Sequence, residues 1–305
     1  MEPKFRGDVG IVLYNTRFLP FKVKVGDRIA QAVFKKYEEK IETEVVDELD
    51  ASERGTSGFG STGVQVMAKG GIRMINEKQS ELKVELLAST PNAREIAFTA
   101  IRTCYSHNKP SDLFEGVEYE KYQQKTASDG KGGTDADRLF RHIVSSGHTS
   151  TLEHISFTFA IEGLSRSALA QLTRHRVGFG YSVQSQRYVS DASDKKKGGF
   201  QIVIPPKVKE DPEALKIFLE TMDVIQAAYD RLRETKIPTE DARFVLPNAA
   251  AINLTMTCNL RALLGFYSKR RKGRGAQWEI AELAEELHRV VVDKEIWLDP
   301  YFELE

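Results

Sequence analysis

The sequence predicts a chain in two parts: a small all-β segment, followed by a larger α/β (α+β) domain that contains long helices. Three observations indicate this order. Apolar residues alternate with polar ones within 8–35, which is the pattern of half-buried strands. A glycine-rich run at 54–63 is incompatible with a helix or a central strand. Beyond it, strand-like and helix-like segments are interspersed. We place the boundary near residue 70, which gives domains at 1–70 and 71–305.

The larger part begins with a strand and two helices. A strand is predicted at 83–88, and Pro91 opens a helix that continues through Ile101. The polar, glycine-containing stretch 124–137 predicts a loop. Residues 137–146 then predict a helix that ends before a glycine.

The remainder of the larger part contains one more predicted strand and three helices. Alternation at 156–161 predicts the strand, and Ser165 is suited to cap a helix that continues to Arg176. Residues 190–199 predict an exposed loop. Two long helices are predicted at 212–235 and 276–294, the second with its apolar residues on one face.

Composition favours a globular protein without a membrane span. Of 305 residues, 41% are apolar, and no run approaches the roughly 18 apolar residues that a spanning helix needs. The first ten residues lack the apolar core of a signal peptide. We therefore expect a soluble, cytoplasmic protein. The two cysteines, Cys104 and Cys258, form no CxxC pattern, and each is expected to be a buried free thiol.

Charge is balanced overall but uneven along the chain. Lys and Arg number 44, as do Asp and Glu, so bulk charge does not indicate nucleic-acid binding. Residues 163–190 nevertheless contain four arginines and no acid, and residues 242–278 contain seven cations and no acid. Such stretches favour a local site for phosphates. A solvated basic surface is the alternative that charge alone leaves open.

Several ordered motifs point to one family. Residues 171–189 read QLTRHRVGFGYSVQSQRYV, in which Arg-His-Arg is followed, after eight residues, by Ser185. The stretches GHTSTLEH, DARFVLP, MTCNLRALLGFY and GAQWEI occur around it in that chain order. Together they resemble the flavin-dependent thymidylate synthases over residues 72–305. The resemblance implies that family's fold and an enzyme that methylates dUMP, with methylenetetrahydrofolate as carbon donor and FAD that is reduced by NADPH. It also implies a homotetramer whose subunits share active sites.

The resemblance assigns roles to individual residues. The residues expected to contact FAD are Ser150, Arg174, His175, Arg176, Asn259 and Gly265. The residues expected to bind dUMP are Gln171, Arg174, Gln184, Ser185, Arg187, Arg243 and Arg270. Arg270 is also the expected catalytic residue, because a permanent cation can stabilise charge that develops on the uracil ring. Helix capping or a turn bond is the alternative for Ser150 and Asn259.

The sequence departs from the family pattern at a few positions. One extra residue before Ser185 leaves Val183 where the family often has Glu or Gln, and Gln184 is the nearest substitute. Gly265 stands where the family usually has Asn or His near the flavin, and Cys104 stands where Ser is common. The basic run leaves open whether Arg270 or Arg271 activates uracil. His148, Glu153 and His154 invite a metal interpretation, but their spacing favours structural hydrogen bonds, so no metal is expected.

The first part resembles another family. GDRIAQ and RGTSGFGSTG are similar to the C-terminal part of a trimeric dUTPase, over residues 1–66. The resemblance implies a nucleotide-binding arm that comprises Arg28, Gln31, Arg54, Phe59, Ser61 and Thr62. Glu2 and Phe5 stand where that family's catalytic Asp and Tyr are expected, so this part is not expected to hydrolyse dUTP by itself.

Two other functions remain as alternatives. A non-catalytic, uridine-nucleotide-binding regulatory protein would account for the altered dUTPase-like part and for the substitutions near the flavin. An RNA-binding module would use the basic run 268–272. Because that run lies within the expected dUMP site, we do not expect nucleic acid as a partner.

Overall fold

The structure is a computed structural model, and it describes residues 79–114, 116–195 and 198–303. The strands predicted at 8–35, the glycine-rich run at 54–63 and the boundary near residue 70 lie outside these residues. So does the dUTPase-like arm.

A four-stranded antiparallel sheet forms the centre of the described chain. Its strands are β1 (Lys83–Ser89), β2 (Ser156–Ser165), β3 (Phe179–Val183) and β4 (Ala251–Asn259), and their order in the sheet is β1-β2-β4-β3. The predictions of β1 and β2 are confirmed, and β2 extends to Ser165. Strands β3 and β4 were not predicted, although β4 alternates clearly between buried and exposed residues.

One face of the sheet carries the main core. Phe157, Phe159 and Ile161 from β2 are fully buried, as is Met256 from β4. These side chains share one apolar cluster with helical residues such as Phe266. The two-residue period of the strands therefore directs one row of side chains into the core. The predicted mixed class of helix and sheet is confirmed.

Eleven α-helices occur in the described residues. They are α1 (Ala93–Thr103), α2 (Pro110–Leu113), α3 (Val117–Gln124), α4 (Asp135–Ser145), α5 (Arg166–Leu172), α6 (Pro206–Glu210), α7 (Pro212–Glu234), α8 (Thr239–Ala242), α9 (Leu260–Arg270), α10 (Trp278–Lys294) and α11 (Asp299–Phe302). Short 3₁₀ helices occupy Thr149–His154, Arg243–Val245 and Ile296–Leu298. None of the described helices is both long and apolar enough to span a bilayer.

The two long helices confirm the sequence prediction, and each begins at a side-chain cap. Asp211 Oδ1 accepts hydrogen bonds from the backbone N–H groups of Glu213 and Ala214 at the start of α7, at 2.9 and 3.1 Å. Gln277 Oε1 accepts from the first backbone N–H groups of α10. Such caps satisfy N–H groups that have no partner within the helix.

The helix capped by Ser165 is shorter than predicted. Ser165 Oγ accepts from Ala168 N at 3.0 Å, which confirms the cap. The helix, α5, ends at Leu172 and does not reach Arg176. Thr173 donates through its hydroxyl to Leu169 O at 3.0 Å, and a turn follows. The Arg-His-Arg segment therefore lies in a connection between α5 and β3, where its side chains can diverge.

Two further expectations need correction. Helix α4 begins at Asp135 and not at Asp137, because Thr134 and Asp137 form a reciprocal capping box. Cys104 is exposed at the end of α1, where the sequence analysis expected a buried thiol. Cys258 is buried as expected, and burial raises the pKa of its thiol to about 12.

The described parts of the predicted loop, residues 190–195 and 198–199, contain no helix or strand, and the two ends are buried against α7. Gln226 Nε2 donates to Asp191 O at 3.0 Å, and Gln226 Oε1 accepts from Phe200 N at 2.9 Å. Tyr229 Oη accepts from Asp191 N at 3.3 Å. Helix α7 thus holds both ends of the segment that follows Ser185 and Arg187.

Candidate active site

The Arg174–Arg176 segment forms a turn that the neighbouring strand fixes. His175 N donates to Leu172 O at 3.0 Å. The Tyr181 hydroxyl, from β3, donates to the carbonyls of His175 and Leu172 at 2.7 and 3.1 Å. Burial raises the pKa of Tyr181, so its hydroxyl keeps the proton that these bonds need. The backbone of the turn is therefore held in one position.

The His175 ring contacts α9. Its Nε2 accepts a hydrogen bond from Arg270 Nε at 3.2 Å, and its centroid lies 4.9 Å from that of Phe266 in an edge arrangement. Burial lowers the pKa of His175, and the positive charge of Arg270 lowers it further. A neutral ring with its proton on Nδ1 is the form that can accept from a guanidinium.

A cavity of about 450 Å³ opens beside this pair. Five of the six residues expected to contact FAD line it, and these are Arg174, His175, Arg176, Asn259 and Gly265. A side chain added at Gly265 would meet no atom within 4 Å, so this glycine faces open space. A volume of this size lies within the range of roughly 300–1,000 Å³ that is usual for small-molecule sites.

The cavity also has lining residues that the sequence analysis did not select. Arg261 Nη1 lies 2.5 Å from the carboxylate of Glu153, and both residues line the wall. Glu153, considered above as a metal ligand, thus pairs with a cation. Phe179, Phe266 and Lys269 complete the apolar and basic surfaces. Arg261 could have been selected, because it stands in the motif MTCNLRALLGFY beside Asn259.

Asn259 has the structural role that was left open for it. Its Oδ1 accepts from Ala262 N at 2.9 Å and caps α9. Gly178 packs against this cap, because a Cβ at Gly178 would lie 2.7 Å from Ala262 Cβ. The cap and the cavity wall therefore coincide at Asn259.

Ser150 lies in a different cavity. That cavity, of about 510 Å³, is lined by residues that include Cys104 and His154. Its lining includes Thr99, whose buried Oγ1 has no hydrogen-bond partner among the described residues. Glu153 and Ser150, three positions apart, thus face separate cavities.

Three of the expected nucleotide-binding residues form a second group. Arg187 Nε lies 2.5 Å from Glu240 Oε2, and Arg243 Nε donates to Glu240 O at 3.1 Å. Ser185 begins the turn that carries Arg187, because Ser185 Oγ accepts from Arg187 N at 3.2 Å. Among the described residues that line the 450 Å³ cavity, none of these three occurs.

The remaining nucleotide candidates are Gln171, Gln184 and Arg270. Gln171 is half-buried in the last turn of α5. Val183 packs its side chain on the core, while Gln184, the next residue, is exposed and accepts from Asn253 Nδ2 at 3.4 Å. The alternation of β3 therefore excludes Val183 from a polar contact and favours Gln184. Arg270 contacts His175, whereas Arg271 lies just beyond α9, which favours Arg270 over Arg271.

The basic residues converge as charge patterning predicted. Arg174 and Arg176, from the first acid-free stretch, line one cavity with Arg261 and Lys269 from the second. Within the part of the chain that the structure describes, no three His, Cys, Asp or Glu residues are grouped closely enough to hold a metal ion.

Comparison with known proteins decides the family. Residues 85–294 match the family described as thymidylate synthase complementing protein. A flavin-dependent thymidylate synthase from Geobacter sulfurreducens is 40% identical over 210 residues, which cover 69% of this chain and 82% of the relative. One from Clostridium tetani is 37% identical over 226 residues, with the same coverage.

The chain belongs to the flavin-dependent thymidylate synthase family. The predicted enzyme class, a thymidylate synthase of the methyltransferase type, is thereby confirmed. A solved structure of a UMP/dUMP methylase, PolB from Streptomyces cacaoi bound with 5-Br dUMP, has a TM-score of 0.58 and 22% identity. It covers 73% of this chain and 95% of its own, and at this identity it supports the fold alone.

The resemblance of the first part is also confirmed. Residues 1–63 match the dUTPase family, which agrees with the similarity seen in GDRIAQ and in the glycine-rich run.

Proposed function

We propose that this flavin-dependent thymidylate synthase family member converts dUMP to dTMP. Methylenetetrahydrofolate would donate the one-carbon unit and NADPH the two reducing electrons, so that dTMP, tetrahydrofolate and NADP⁺ are formed. The contact between His175 and Arg270 beside the 450 Å³ cavity is the observation that carries this proposal. It joins the Arg-His-Arg motif to the helix with the expected catalytic residue.

The residues around the cavity fit a flavin. FAD carries an apolar ring system and an anionic pyrophosphate, and the wall combines Phe179 and Phe266 with the guanidinium groups of Arg174 and Arg176. The open space at Gly265 leaves room for a planar group. FAD, when bound, would supply hydride chemistry that no side chain provides. His175, Arg176, Asn259 and Gly265 would then hold the ring region.

The second cavity fits the rest of the same cofactor. Ser150 lies there with hydroxyl-bearing Thr99 and Thr151, and a buried hydroxyl without a partner has an energetic reason to bind a polar ligand. We assign Ser150 to the phosphate or ribose portion of FAD. Cys104 would contact the cofactor where relatives commonly have Ser.

The nucleotide would be held by its phosphate and its base. Ser185, Arg187 and Arg243 would bind the phosphate dianion, for which guanidinium groups are geometrically suited. Arg270 would contact uracil through its terminal nitrogens, since its ε nitrogen bonds to His175. The charge that develops on the uracil ring would be stabilised by a cation already in position. Gln171, Gln184 and Arg174 would complete the nucleotide contacts.

We infer that the active enzyme is a homotetramer that shares its sites between subunits. The proposed phosphate-binding residues, Ser185, Arg187 and Arg243, are not among those that line the proposed flavin cavity. A partner subunit could bring its own phosphate-binding residues next to this cavity. A cytoplasmic location fits the exposed free thiol of Cys104, since reducing compartments preserve free thiols.

We infer that the dUTPase-like part, residues 1–70, does not hydrolyse dUTP by itself. Glu2 and Phe5 replace the catalytic Asp and Tyr expected in that family. A separate measurement of pyrophosphate release from dUTP tests this inference, and turnover above background would contradict it.

Purification followed by product analysis tests the proposed function. We expect the protein to bind FAD, with flavin absorbance bands retained after gel filtration, and to form dTMP only when FAD, NADPH and methylenetetrahydrofolate are all present. A colourless protein that binds dUMP and forms no dTMP would contradict the proposal. It would support the regulatory alternative instead.

A further inference from the structure

Glu240 contacts both arginines that are assigned to the nucleotide phosphate. Its side-chain Oε2 lies 2.5 Å from Arg187 Nε, and its main-chain oxygen accepts from Arg243 Nε at 3.1 Å. The two arginines are 56 positions apart in the sequence, and this one residue connects them. The sequence analysis did not select Glu240.

The two contacts engage the same end of each guanidinium group. A guanidinium has five N–H donors, of which only one is on the ε nitrogen. Among the described residues, no hydrogen bond occupies the terminal nitrogens of Arg187 or Arg243, so their N–H donors remain for a ligand. This is the arrangement expected of a support that fixes a guanidinium while its outer edge faces a ligand.

Glu240 itself stands on a well-supported element. It lies in α8, whose Ala242 is fully buried in a cluster with Tyr229 of α7. Tyr229 also accepts a hydrogen bond from Asp191 N, just after the Arg187 turn. Helix α7 therefore fixes the positions both of Glu240 and of the segment that carries Arg187.

The charge of Glu240 requires an explanation. A carboxylate among anion-binding arginines repels a phosphate dianion, and this repulsion opposes binding. The pair is also partly solvated, with side-chain exposures of 54% for Arg187 and 43% for Glu240, so its contribution to folding stability is small. If Glu240 holds the two arginines in place for the phosphate, the binding free energy gained through them would offset this repulsion.

We propose that Glu240 is a positioning residue for phosphate recognition, whose carboxylate orients Arg187 toward the phosphate of the nucleotide while its main-chain oxygen holds Arg243 beside it. This inference rests on the proposed function, in which that nucleotide is dUMP. The opposing model makes Glu240 a competitor that occupies Arg187 until a phosphate displaces it. The two models predict opposite signs for the effect of removing the side chain.

Equilibrium titration of the full-length protein with dUMP separates the two models. For Glu240→Ala we expect the Kd to rise roughly fivefold, as suits the loss of one orienting ion pair. Glu240→Gln retains an acceptor oxygen and should stay within about twofold of the unaltered protein. In turnover assays, the KM for dUMP should rise in Glu240→Ala with little change in kcat, because ground-state and transition-state binding are weakened together.

Asp241→Ala is the matched control. It removes the same charge from the adjacent, exposed position and should leave the Kd unchanged or slightly lower. Tighter or equal binding of dUMP by Glu240→Ala, relative to the unaltered protein, would overturn the positioning role. Equal weakening by the Gln and Ala variants would also overturn it, since the retained acceptor would then have no effect.

A double variant tests whether Glu240 acts through Arg187. If it does, Glu240→Ala should weaken binding less in an Arg187→Ala background than in the unaltered protein. Full additivity would contradict the inference. Failure of the proposed function has a different result: the unaltered protein would then form no dTMP in the turnover assay, whether or not it binds dUMP. Thermal melting and flavin absorbance verify that each variant is folded.

Discussion

The imidazole of His175 accepts from Arg270 on one side and meets the edge of Phe266 on another. Three elements thus meet at one ring: the turn after α5, the helix α9 and the strand β3, which holds the turn through Tyr181. At the scale of this residue, the protonation state of His175 decides whether its bond with Arg270 can form. A protonated Nε2 cannot accept from Arg270, and the added positive charge would be repelled by the neighbouring cations.

The first prediction concerns the pH dependence of stability at His175. Its pKa in the folded protein is lowered from 6.5, chiefly by burial, so the unfolded chain binds the proton more tightly. The stabilising contribution is present above pH 6.5 and is lost as pH falls through the lower folded pKa. The free energy of unfolding, measured in urea from pH about 7.5 to about 5, should therefore fall less steeply in His175→Gln than in the unaltered protein. Identical slopes would contradict this assignment.

Individual site residues were predictable where a motif fixed them. Arg174, His175 and Arg176 were selected from one motif, and the structure gathers them around a single cavity with Asn259 and Gly265. Glu240 could not be selected, because its contact with Arg187 depends on how α7 brings two distant segments together. The inward orientation of Val183 depends on β3, which was not predicted although Gly180 and Ser182 alternate with its three apolar residues in the pattern of a half-buried strand.

At the scale of elements, helix α9 has one glycine packed against its N-terminal cap and another within the helix. The two differ in whether the structure has space for a Cβ. Gly178, which packs on the α9 cap, has a φ of 76° and no room for a Cβ, whereas Gly265, inside the helix, faces open space. Gly178→Ala should therefore destabilise the fold by about 1–3 kcal/mol. Gly265→Ala should stabilise it by about 0.5–1 kcal/mol, because alanine is the better helix former. Chemical denaturation measures both, and effects of equal sign would contradict the geometry.

A buried carboxylate links α5 to α10. Glu279, only 3% exposed, accepts from Ser165 N and Ser165 Oγ at 2.6 and 2.5 Å. Ser165→Ala removes both the cap of α5 and one partner of this carboxylate, so we expect a loss of about 2–4 kcal/mol in unfolding free energy. Ser167→Ala, in the exposed first turn of the same helix, is the matched control and should have little effect. If Ser165→Ala lowered the unfolding free energy no more than Ser167→Ala does, the buried contact would contribute nothing to stability.

Element type was predictable where periodicity was strong, as in α7 and α10. Boundaries were less so, because they depend on caps: Thr134 moves the start of α4, and the Thr173 bond accompanies the end of α5. The position of an element relative to the others was the least predictable. Within the 3₁₀ helix Thr149–His154, Ser150 lines one cavity and Glu153 lines the cavity of the Arg-His-Arg segment, and no sequence pattern indicates this.

At the scale of the whole molecule, the proposed sharing of sites between subunits predicts complementation. Arg187→Ala and Arg270→Ala should each have low activity, because they affect different parts of the same site. If partner subunits supply these two residues to one site, mixed tetramers obtained by co-expression should recover part of the activity. Co-expressed variants that remain as inactive as either variant alone would contradict the shared site. Doubly substituted protein mixed with either variant is the control.

The central claim is that His175 and Arg270 lie at a site where dUMP is methylated, and tritium release from [5-³H]dUMP tests it most directly. Replacement of the hydrogen on carbon 5 of uracil by the new carbon unit must release that tritium to water. With FAD, NADPH and methylenetetrahydrofolate, the account predicts release by the unaltered protein and a rate at least about 100-fold lower for Arg270→Ala, whose flavin absorbance should persist. No release by the flavin-loaded, unaltered protein would contradict the proposed function, and equal release by the variant would contradict the role of Arg270.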